Sequence, residues 1–577
     1  MNTDQVLPIH SPPIPQFETV TPATTRPAMG LTGLTVDIPS SKRPSTSPDE
    51  KRPAARWSNI EFKVYYAIAC IVIPIMVWIP VSLSSPSKPN YPFYQMRLSE
   101  GWLFERRIDN SDAQYRSFRN NLPSLLIGAL AFLFSKFLRV HYAVNLVQVG
   151  NLFLIPFNVG CSVVMILVLH GTSAVKVLAI VSANYAIAKA CRGSKAGPAL
   201  TWVFNAAVLF LNERYRGYRF GDMIPGLGYL DTIQGAYPRW HVSFNITMLR
   251  LVSFSMDYYW ACQPQTPEDT GFAQLSEKRR QSVAHPESMY SYMNYIAYVL
   301  YPPLYIAGPI ITFNDFMWQQ RRPTPISSRS TMKYLLRFII SFMTMEFILH
   351  FMYVVAIKDR KAWVGAGPAQ ISMIGFWNLI IVWLKLLIPW RFFRLWALMD
   401  GIDPPENMVR CMANNYSTLG FWRSWHRSYN LWVIRYIYIP LGGANNLVVN
   451  TVLVFSFVAL WHDLTFRLLA WGWLVSLFII PEWCAMYLLP ASKFGERSWY
   501  RHVCALGAVL NIVMMMAANL VGFVVGIEGV SFFASQLFGT FEGVRFLIGV
   551  VFCLFVGAQL MFEYREEEMR RGVFRRC

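Results

Sequence analysis

The chain has 577 residues, of which 54% are hydrophobic and only 15% charged, and its net charge is +19. A soluble protein usually carries about a quarter charged residues, so this composition excludes an ordinary soluble domain and indicates lipid as the main solvent. The positive charge does not indicate a nucleic-acid partner, because the sequence has no basic-aromatic motif of a nucleic-acid-binding module. Basic loops facing anionic membrane lipids explain the charge more simply.

The first 56 residues differ in composition from the rest of the chain. They contain ten prolines and thirteen serines or threonines, with few aromatic residues. Such a segment cannot bury enough apolar surface to offset the entropy lost on ordering, so residues 1–56 are predicted to form a disordered tail. Residues 57–577 are predicted to form one membrane domain.

Long apolar runs follow the tail. A membrane-spanning helix needs about 20 apolar residues, and the chain is therefore predicted to be an all-α polytopic membrane protein with about 10–12 transmembrane helices. Two shorter runs, 200–211 and 247–262, are predicted to be re-entrant or interfacial helices around a central tunnel. The longer runs are 64–83, 122–138, 151–169, 175–191, 289–313, 334–356, 371–390, 447–461, 468–489, 503–527 and 544–562.

Residues 421–443 combine aromatic and basic side chains in the sequence FWRSWHRSYNLWVIRYIYIPLGG. The segment is too polar for one clean span and is predicted to be a tilted or interfacial helix. One interpretation is an amphipathic anchor. The other is a basic wall of Arg423, Arg427 and Arg435 facing phosphates, beside the titratable imidazole of His426.

His462 follows fifteen nearly apolar residues, 447–461, and is predicted to lie near the end of a span. A buried neutral imidazole can accept a proton, so His462 is a candidate general base. The alternative is a histidine that only hydrogen-bonds a neighbouring carbonyl.

Other ionisable residues also interrupt apolar runs. Glu346 and His350 are four residues apart and share a helix face, which suits either a proton relay or a satisfied interhelical contact. Lys385 stands in the middle of another run. The nine cysteines include no C-x-x-C pair, so neither a disulfide framework nor a metal site is predicted.

The segment 421–443, followed by LWHDLTFRLLAWGW at 460–473, resembles the signature region of the membrane-bound O-acyltransferases. The sequence YPPLYIAGPIITFNDF at 301–316 resembles an upstream segment of that family, and the similarity is greatest to its glycerol-uptake-protein branch. The resemblance implies that His462, in the W-H motif, is catalytic, and that His426 lines the same tunnel. It also implies substrate contacts from Arg423, Arg427, Arg435, Trp425 and Asn430. Asp463 departs from the glycine that many members have after the histidine.

The resemblance implies transfer of an acyl chain from acyl-CoA, a co-substrate, with no further cofactor. The implied acceptor is a lysolipid or a GPI-anchored protein, through the free hydroxyl of lyso-phosphatidylinositol in a glycosylphosphatidylinositol (GPI) anchor. The implied location is the endoplasmic reticulum membrane, with the plasma membrane as a second site. Two alternatives stay open: a proton-coupled glycerol or polyol transporter that uses Glu346, His350 and Lys385, and a catalytically silent regulatory relative.

Overall fold

The computed structural model describes residues 54–142, 151–264 and 275–571, together with Val573 and Arg575. The predicted disordered tail, residues 1–56, lies outside the described part of the chain except for residues 54–56. The first half contains α1 (Ile60–Leu83), α2 (Tyr91–Tyr94), α3 (Ala113–Tyr142), α4 (Ile155–His170), α5 (Ala174–Cys191), α6 (Ala196–Tyr215), α7 (Phe220–Met223), α8 (Trp240–Ala261) and α9 (Glu277–Ser282).

The second half continues the helical fold. It contains α10 (Tyr292–Val299), α11 (Pro302–Tyr305), α12 (Phe313–Arg321), α13 (Ser328–Phe351), α14 (Val354–Asp359), α15 (Pro368–Met399), α16 (Thr418–Ser424), α17 (Arg427–Val433), α18 (Leu447–His462), α19 (Phe466–Leu488), α20 (Ala491–Phe494), α21 (Tyr500–Asn519), α22 (Gly526–Phe538) and α23 (Phe541–Arg570). Two π-helical turns occur at Ile434–Tyr438 and Leu520–Val524. The short strands β1 (Leu98–Glu100) and β2 (Arg107–Asp109) form an antiparallel hairpin.

The prediction of an all-α polytopic membrane protein is confirmed. Within the described ranges, nine helical stretches are long and apolar enough to cross a membrane. They are α1, α3, the α4–α5 stretch Leu152–Cys191, α13, α15, α18, α19, α21 and α23. The number falls below the predicted 10–12 partly because the predicted runs 151–169 and 175–191 lie in the one α4–α5 stretch.

The predicted span 289–313 is wrong. Proline residues and the Gly308–Pro309 pair divide this run into α10, α11 and an extended segment that leads into α12. The segment is buried inside the protein, where irregular backbone is tolerated as long as its polar groups are paired. Arg250 of α8 supplies part of that pairing, because its buried guanidinium donates to the backbone carbonyl oxygens of Val299, at 2.8 Å, and Leu304.

The two shorter runs belong to longer helices. Residues 200–211 lie in α6 and residues 247–262 lie mostly in α8, which is buried along most of its length. The largest buried apolar cluster packs α8 against α10, α12 and α17. This cluster fixes the position of α17, which begins directly after His426.

Candidate functional site

Two histidines that are far apart in sequence line one cavity. The cavity contains about 910 Å³ of empty space, including the part that opens to the outside, and its walls come from α15, the α16–α17 region, α18, α19 and the end of α21. Of the predicted site residues, Trp425, His426, Asn430 and His462 line it. The other lining residues are mainly apolar: Leu379, Val382, Leu386, Met412, Phe421, Trp422, Tyr429, Val433, Val454, Phe455, Val458, Trp471, Asn519 and Phe523.

His462 is the last residue of α18, in agreement with its predicted position at the end of a span. The helix stops there because Asp463 adopts an extended conformation, and α19 begins three residues later at Phe466. The imidazole packs among aromatic rings, with centroid distances of 4.9 Å to Trp461 and 6.3 Å to Phe523. The α18–α19 hairpin therefore presents the imidazole to the cavity at a fixed place.

His426 stands at a break in the chain between α16 and α17. Its φ of 44° and ψ of 49° are left-handed, a conformation that a non-glycine residue rarely adopts. The predicted single tilted helix at 421–443 is thus two short helices joined at His426. The ring stacks between Trp390, at 4.4 Å, and Tyr429, at 5.1 Å.

The strained backbone at His426 is supported by bonds from outside the helix. Such conformations cost about 1–3 kcal/mol and persist only where the surroundings fix them. The backbone N–H of Arg427 donates to the carbonyl oxygen of Asn407 at 3.0 Å. The backbone N–H of Ser428 donates to the side-chain oxygen of Asn407 at 3.1 Å. The Ser428 hydroxyl in turn accepts a bond from the backbone N–H of Ile310 at 2.9 Å.

Protonation of His426 is also disfavoured by its surroundings. Burial lowers the pKa of this imidazole to about 3, and the neighbouring His462 adds to the decrease. His426 is therefore neutral near pH 7, with one nitrogen able to donate a hydrogen bond and the other able to accept one.

Two of the three predicted phosphate-binding arginines are engaged elsewhere. Arg427 forms a buried ion pair with Glu277 of α9 at 3.0 Å, and Arg435 pairs with buried Asp257 of α8 at 2.8 Å. Arg423 is exposed. None of the three is among the cavity-lining residues. Arg423, Arg427 and Arg435 therefore do not line this cavity together, and phosphate binding by each of them stays a prediction.

Glu346 and His350 are held by several hydrogen bonds. The Glu346 carboxylate accepts from the indole N–H of Trp102 and the Tyr115 hydroxyl, both at 2.8 Å. His350 Nδ1 lies 2.7 Å from the Glu346 carbonyl oxygen, and its Nε2 lies 3.2 Å from the backbone N–H of Trp102. Lys385 pairs with Asp112 at 2.7 Å. These contacts join α13 and α15 to residues 102–115, as the structural interpretation of the pair requires.

The structure adds two polar groups to the cavity that the sequence did not single out. The Tyr429 hydroxyl and the Trp422 indole nitrogen are buried, and neither has a hydrogen-bond partner among the described residues. In the sequence they are two of many aromatic residues in 421–443. Only the fold distinguishes them from their neighbours, because it determines which rings face the empty space.

Comparisons with known proteins agree with these observations. The sequence profile of the membrane-bound O-acyltransferase family matches residues 227–527. The chain is 45% identical to a protein named membrane-bound O-acyltransferase GUP1 of Saccharomyces cerevisiae, over 96% of this chain and 99% of the relative. It is 46% identical to a protein of the same name from Candida tropicalis, over 92% of this chain and 91% of the relative. It is 26% identical to the mouse protein-cysteine N-palmitoyltransferase HHAT, over 52% and 62%.

Proposed function

The chain belongs to the membrane-bound O-acyltransferase family, and from that premise we propose that it transfers a fatty acyl chain from acyl-CoA to a lipid hydroxyl, with His462 as the general base. The presence of His426 and His462 in one cavity is the observation that carries the proposal. The cavity's largely apolar wall is suited to an acyl chain.

The proposed reaction has two stages. The acceptor oxygen attacks the thioester carbonyl carbon, forming a carbon–oxygen bond while His462 takes the hydroxyl proton. The carbonyl oxygen becomes an oxyanion. When the tetrahedral intermediate collapses, the carbon–sulfur bond breaks, and the coenzyme A thiolate leaves and receives the proton from His462. His426 orients the acceptor or stabilises the oxyanion.

The proposed donor is acyl-CoA, with no additional cofactor. Arg423 is proposed to contact its phosphates, because it is exposed beside the cavity-lining residues Trp422 and Trp425. Trp425 and Asn430 are proposed to contact the substrate from the cavity wall.

The proposed acceptor is the free hydroxyl of lyso-phosphatidylinositol in GPI anchors, in the endoplasmic reticulum membrane. The similarity to the relatives named membrane-bound O-acyltransferase GUP1, over almost the whole chain, supports an acyl transfer to oxygen, and the choice of this lipid follows the family resemblance of the sequence. The mouse relative is named for a protein cysteine, so the family fold also accommodates an acceptor of another kind. A panel of acceptors is therefore part of the test.

The test uses the full chain, purified in detergent or nanodiscs, with radiolabelled palmitoyl-CoA and a panel of lysolipids that includes lyso-phosphatidylinositol. We expect His462→Ala to lower the transfer rate by about 10²–10⁴-fold, the usual range for loss of a general base. The matched control is His502→Ala, which removes an exposed histidine on α21 that is not among the cavity-lining residues. It is expected to keep the wild-type rate.

If His462→Ala keeps more than about a tenth of the wild-type rate, its assignment as general base is wrong. Polyol flux in reconstituted vesicles provides the comparison with the transporter hypothesis. Flux that is lost in Glu346→Gln but retained in His462→Ala would favour the transporter. We expect no flux above that of empty vesicles in any variant.

A further inference from the structure

Tyr429 lines the cavity and carries a buried hydroxyl donor. Tyr429 is only 5% exposed, lies one helical turn after His426 on α17, and is one of the cavity-lining residues. Its hydroxyl has no hydrogen-bond partner within the described part of the chain. Leaving such a group unpaired costs about 1–3 kcal/mol, so its position calls for a partner that enters the cavity.

Other buried tyrosines in the same core are paired. Tyr295 donates to the carbonyl oxygen of Val181 at 2.8 Å, and Tyr298 donates to that of Ile311 at 2.8 Å. Tyr436, two helical turns beyond Tyr429, donates to Asp257 at 3.0 Å. These three hydroxyls of the cluster around α8 have internal acceptors, whereas that of Tyr429, in the same cluster, has none among the described residues.

The ring of Tyr429 packs against His426 and against Trp461, the residue before His462. Its centroid lies 5.1 Å from that of His426 and 4.6 Å from that of Trp461, whose neighbour in sequence is His462. Trp422, the second unpaired donor, instead packs against Phe455 and Trp471. Of these two donors, Tyr429 is the one whose ring stacks directly on a cavity histidine, His426.

We propose that Tyr429 is a catalytic residue that donates a hydrogen bond to the carbonyl oxygen of the acyl thioester as that oxygen becomes an oxyanion. This inference rests on the proposed acyl transfer. As the acceptor oxygen bonds to the carbonyl carbon, the π electrons move to the carbonyl oxygen, and the Tyr429 hydroxyl hydrogen-bonds the resulting negative charge without transferring its proton. The charge returns to the carbon–oxygen bond when the carbon–sulfur bond breaks. A donor held without an internal partner stabilises the transition state with little reorganisation.

If Tyr429 stabilises the oxyanion, His426 is left with the orienting role of the two proposed for it. The imidazole stacks on the Tyr429 ring and on Trp390, so it holds the ring that carries the donor. His426 then acts by positioning Tyr429 and the acceptor, while His462 moves the proton.

Tyr429→Phe removes only the hydroxyl oxygen and is the direct test. With palmitoyl-CoA varied and the preferred lysolipid in excess, we expect kcat to fall by about 10²–10³-fold, the typical loss for one oxyanion donor, while KM changes less than threefold. Thermal stability in detergent is expected to stay the same or rise, because an unpaired buried group is removed. Tyr436→Phe is the matched control and should lower stability while leaving kcat per folded molecule unchanged, because its hydroxyl serves Asp257 and Ser253 outside the cavity.

The outcomes separate this inference from the function on which it rests. If Tyr429→Phe keeps kcat within threefold of wild type while His462→Ala is inactive, the oxyanion role of Tyr429 is wrong and acyl transfer by His462 stands. A Tyr429→Phe protein that loses stability to the same extent as Tyr436→Phe would also overturn the assignment, since the hydroxyl would then serve the fold. If His462→Ala is active, the proposed function itself fails.

Discussion

Arg427 and Glu277 bring opposite charges together across 3.0 Å at a site where both side chains are about nine-tenths buried. Arg427 follows His426 directly, so this pair fixes the start of α17 from the side of α9. Removal of one partner from a buried pair leaves the other charge without compensation, which typically costs about 3–5 kcal/mol. Replacement of both partners by apolar residues of similar volume costs much less.

We expect Arg427→Met to lower the thermal stability of the purified protein strongly, by a free energy of about 3–5 kcal/mol. The double variant Arg427→Met with Glu277→Leu should recover most of that loss. Melting followed by fluorescence size-exclusion in detergent measures both effects. A stable Arg427→Met protein with only a raised KM for acyl-CoA would instead support the phosphate-binding role predicted from the sequence.

The sequence alone indicates which individual residues are candidates for catalysis, but it does not indicate which side chains pair with each other. His462 stands out in the sequence because an imidazole at the end of an apolar run is unusual, and both His462 and His426 lie in segments that resemble family motifs. The arginines looked available for phosphates because their partners, Glu277 and Asp257, are more than a hundred residues earlier in the chain. Tyr429 could not be distinguished from its aromatic neighbours by sequence, because its packing against Trp461 of α18 depends on the fold.

The α18–α19 hairpin is the element that positions His462, and Gly472 sets how closely its two helices approach. A Cβ atom added at Gly472 would lie 2.7 Å from the carbonyl oxygen of Phe455 on α18. Neither backbone can yield locally, since both belong to regular helices. Small residues at such contacts allow membrane helices to pack backbone to backbone.

Gly472→Ala is expected to push α18 away from α19 and to displace His462 from the reacting atoms. A displacement of about 1 Å costs as much as 100-fold in rate, so we expect transfer to fall by about 10- to 100-fold. Gly557→Ala on α23 is the control, because a Cβ at that position meets no atom within 4 Å. Equal activity of the two variants in the radiolabel assay would show that the close contact at Gly472 does not control the site.

The sequence predicted helix boundaries correctly where a helix is uniformly apolar. The predicted boundaries were wrong where irregular backbone is buried inside the protein. The end of α18 at His462 matches the end of an apolar run. The run 289–313 is also apolar, yet it is not a span, because its prolines break the helix, and Arg250 pairs with two of the carbonyl groups there. The break at His426 has no glycine or proline to indicate it and depends on the contact with Asn407.

Across the whole molecule, the first and last described helices are joined. Glu563 of α23 is fully buried and accepts bonds from the backbone N–H of Arg56 at 3.0 Å and from the side chain of Arg570 at 2.6 Å. Arg501 of α21 approaches the same carboxylate at 3.4 Å. Beside these polar contacts, Phe62 and Tyr65 of α1 pack with Val556 of α23.

Glu563→Gln keeps the side-chain shape but removes the charge that Arg501 and Arg570 face. We expect a loss of stability of about 3 kcal/mol, the lower end for disrupting a buried pair. Glu567→Gln is the control, because this carboxylate pairs with Arg570 and Arg571 nearer the surface and such pairs contribute under about 1 kcal/mol. Equal melting temperatures for the two variants would contradict the role assigned to Glu563.

The contact between α1 and α23 has a consequence for biosynthesis. α1 leaves the ribosome about 480 residues before α23 begins, which corresponds to roughly 25–100 s at usual synthesis rates. During that interval the face of Phe62 and Tyr65 has no α23 to pack against, so lipid or a chaperone must cover it. Packing of α1 against α23 is therefore expected to be among the last events after translation, and premature termination before α23 would leave this face of α1 as a target for membrane quality control.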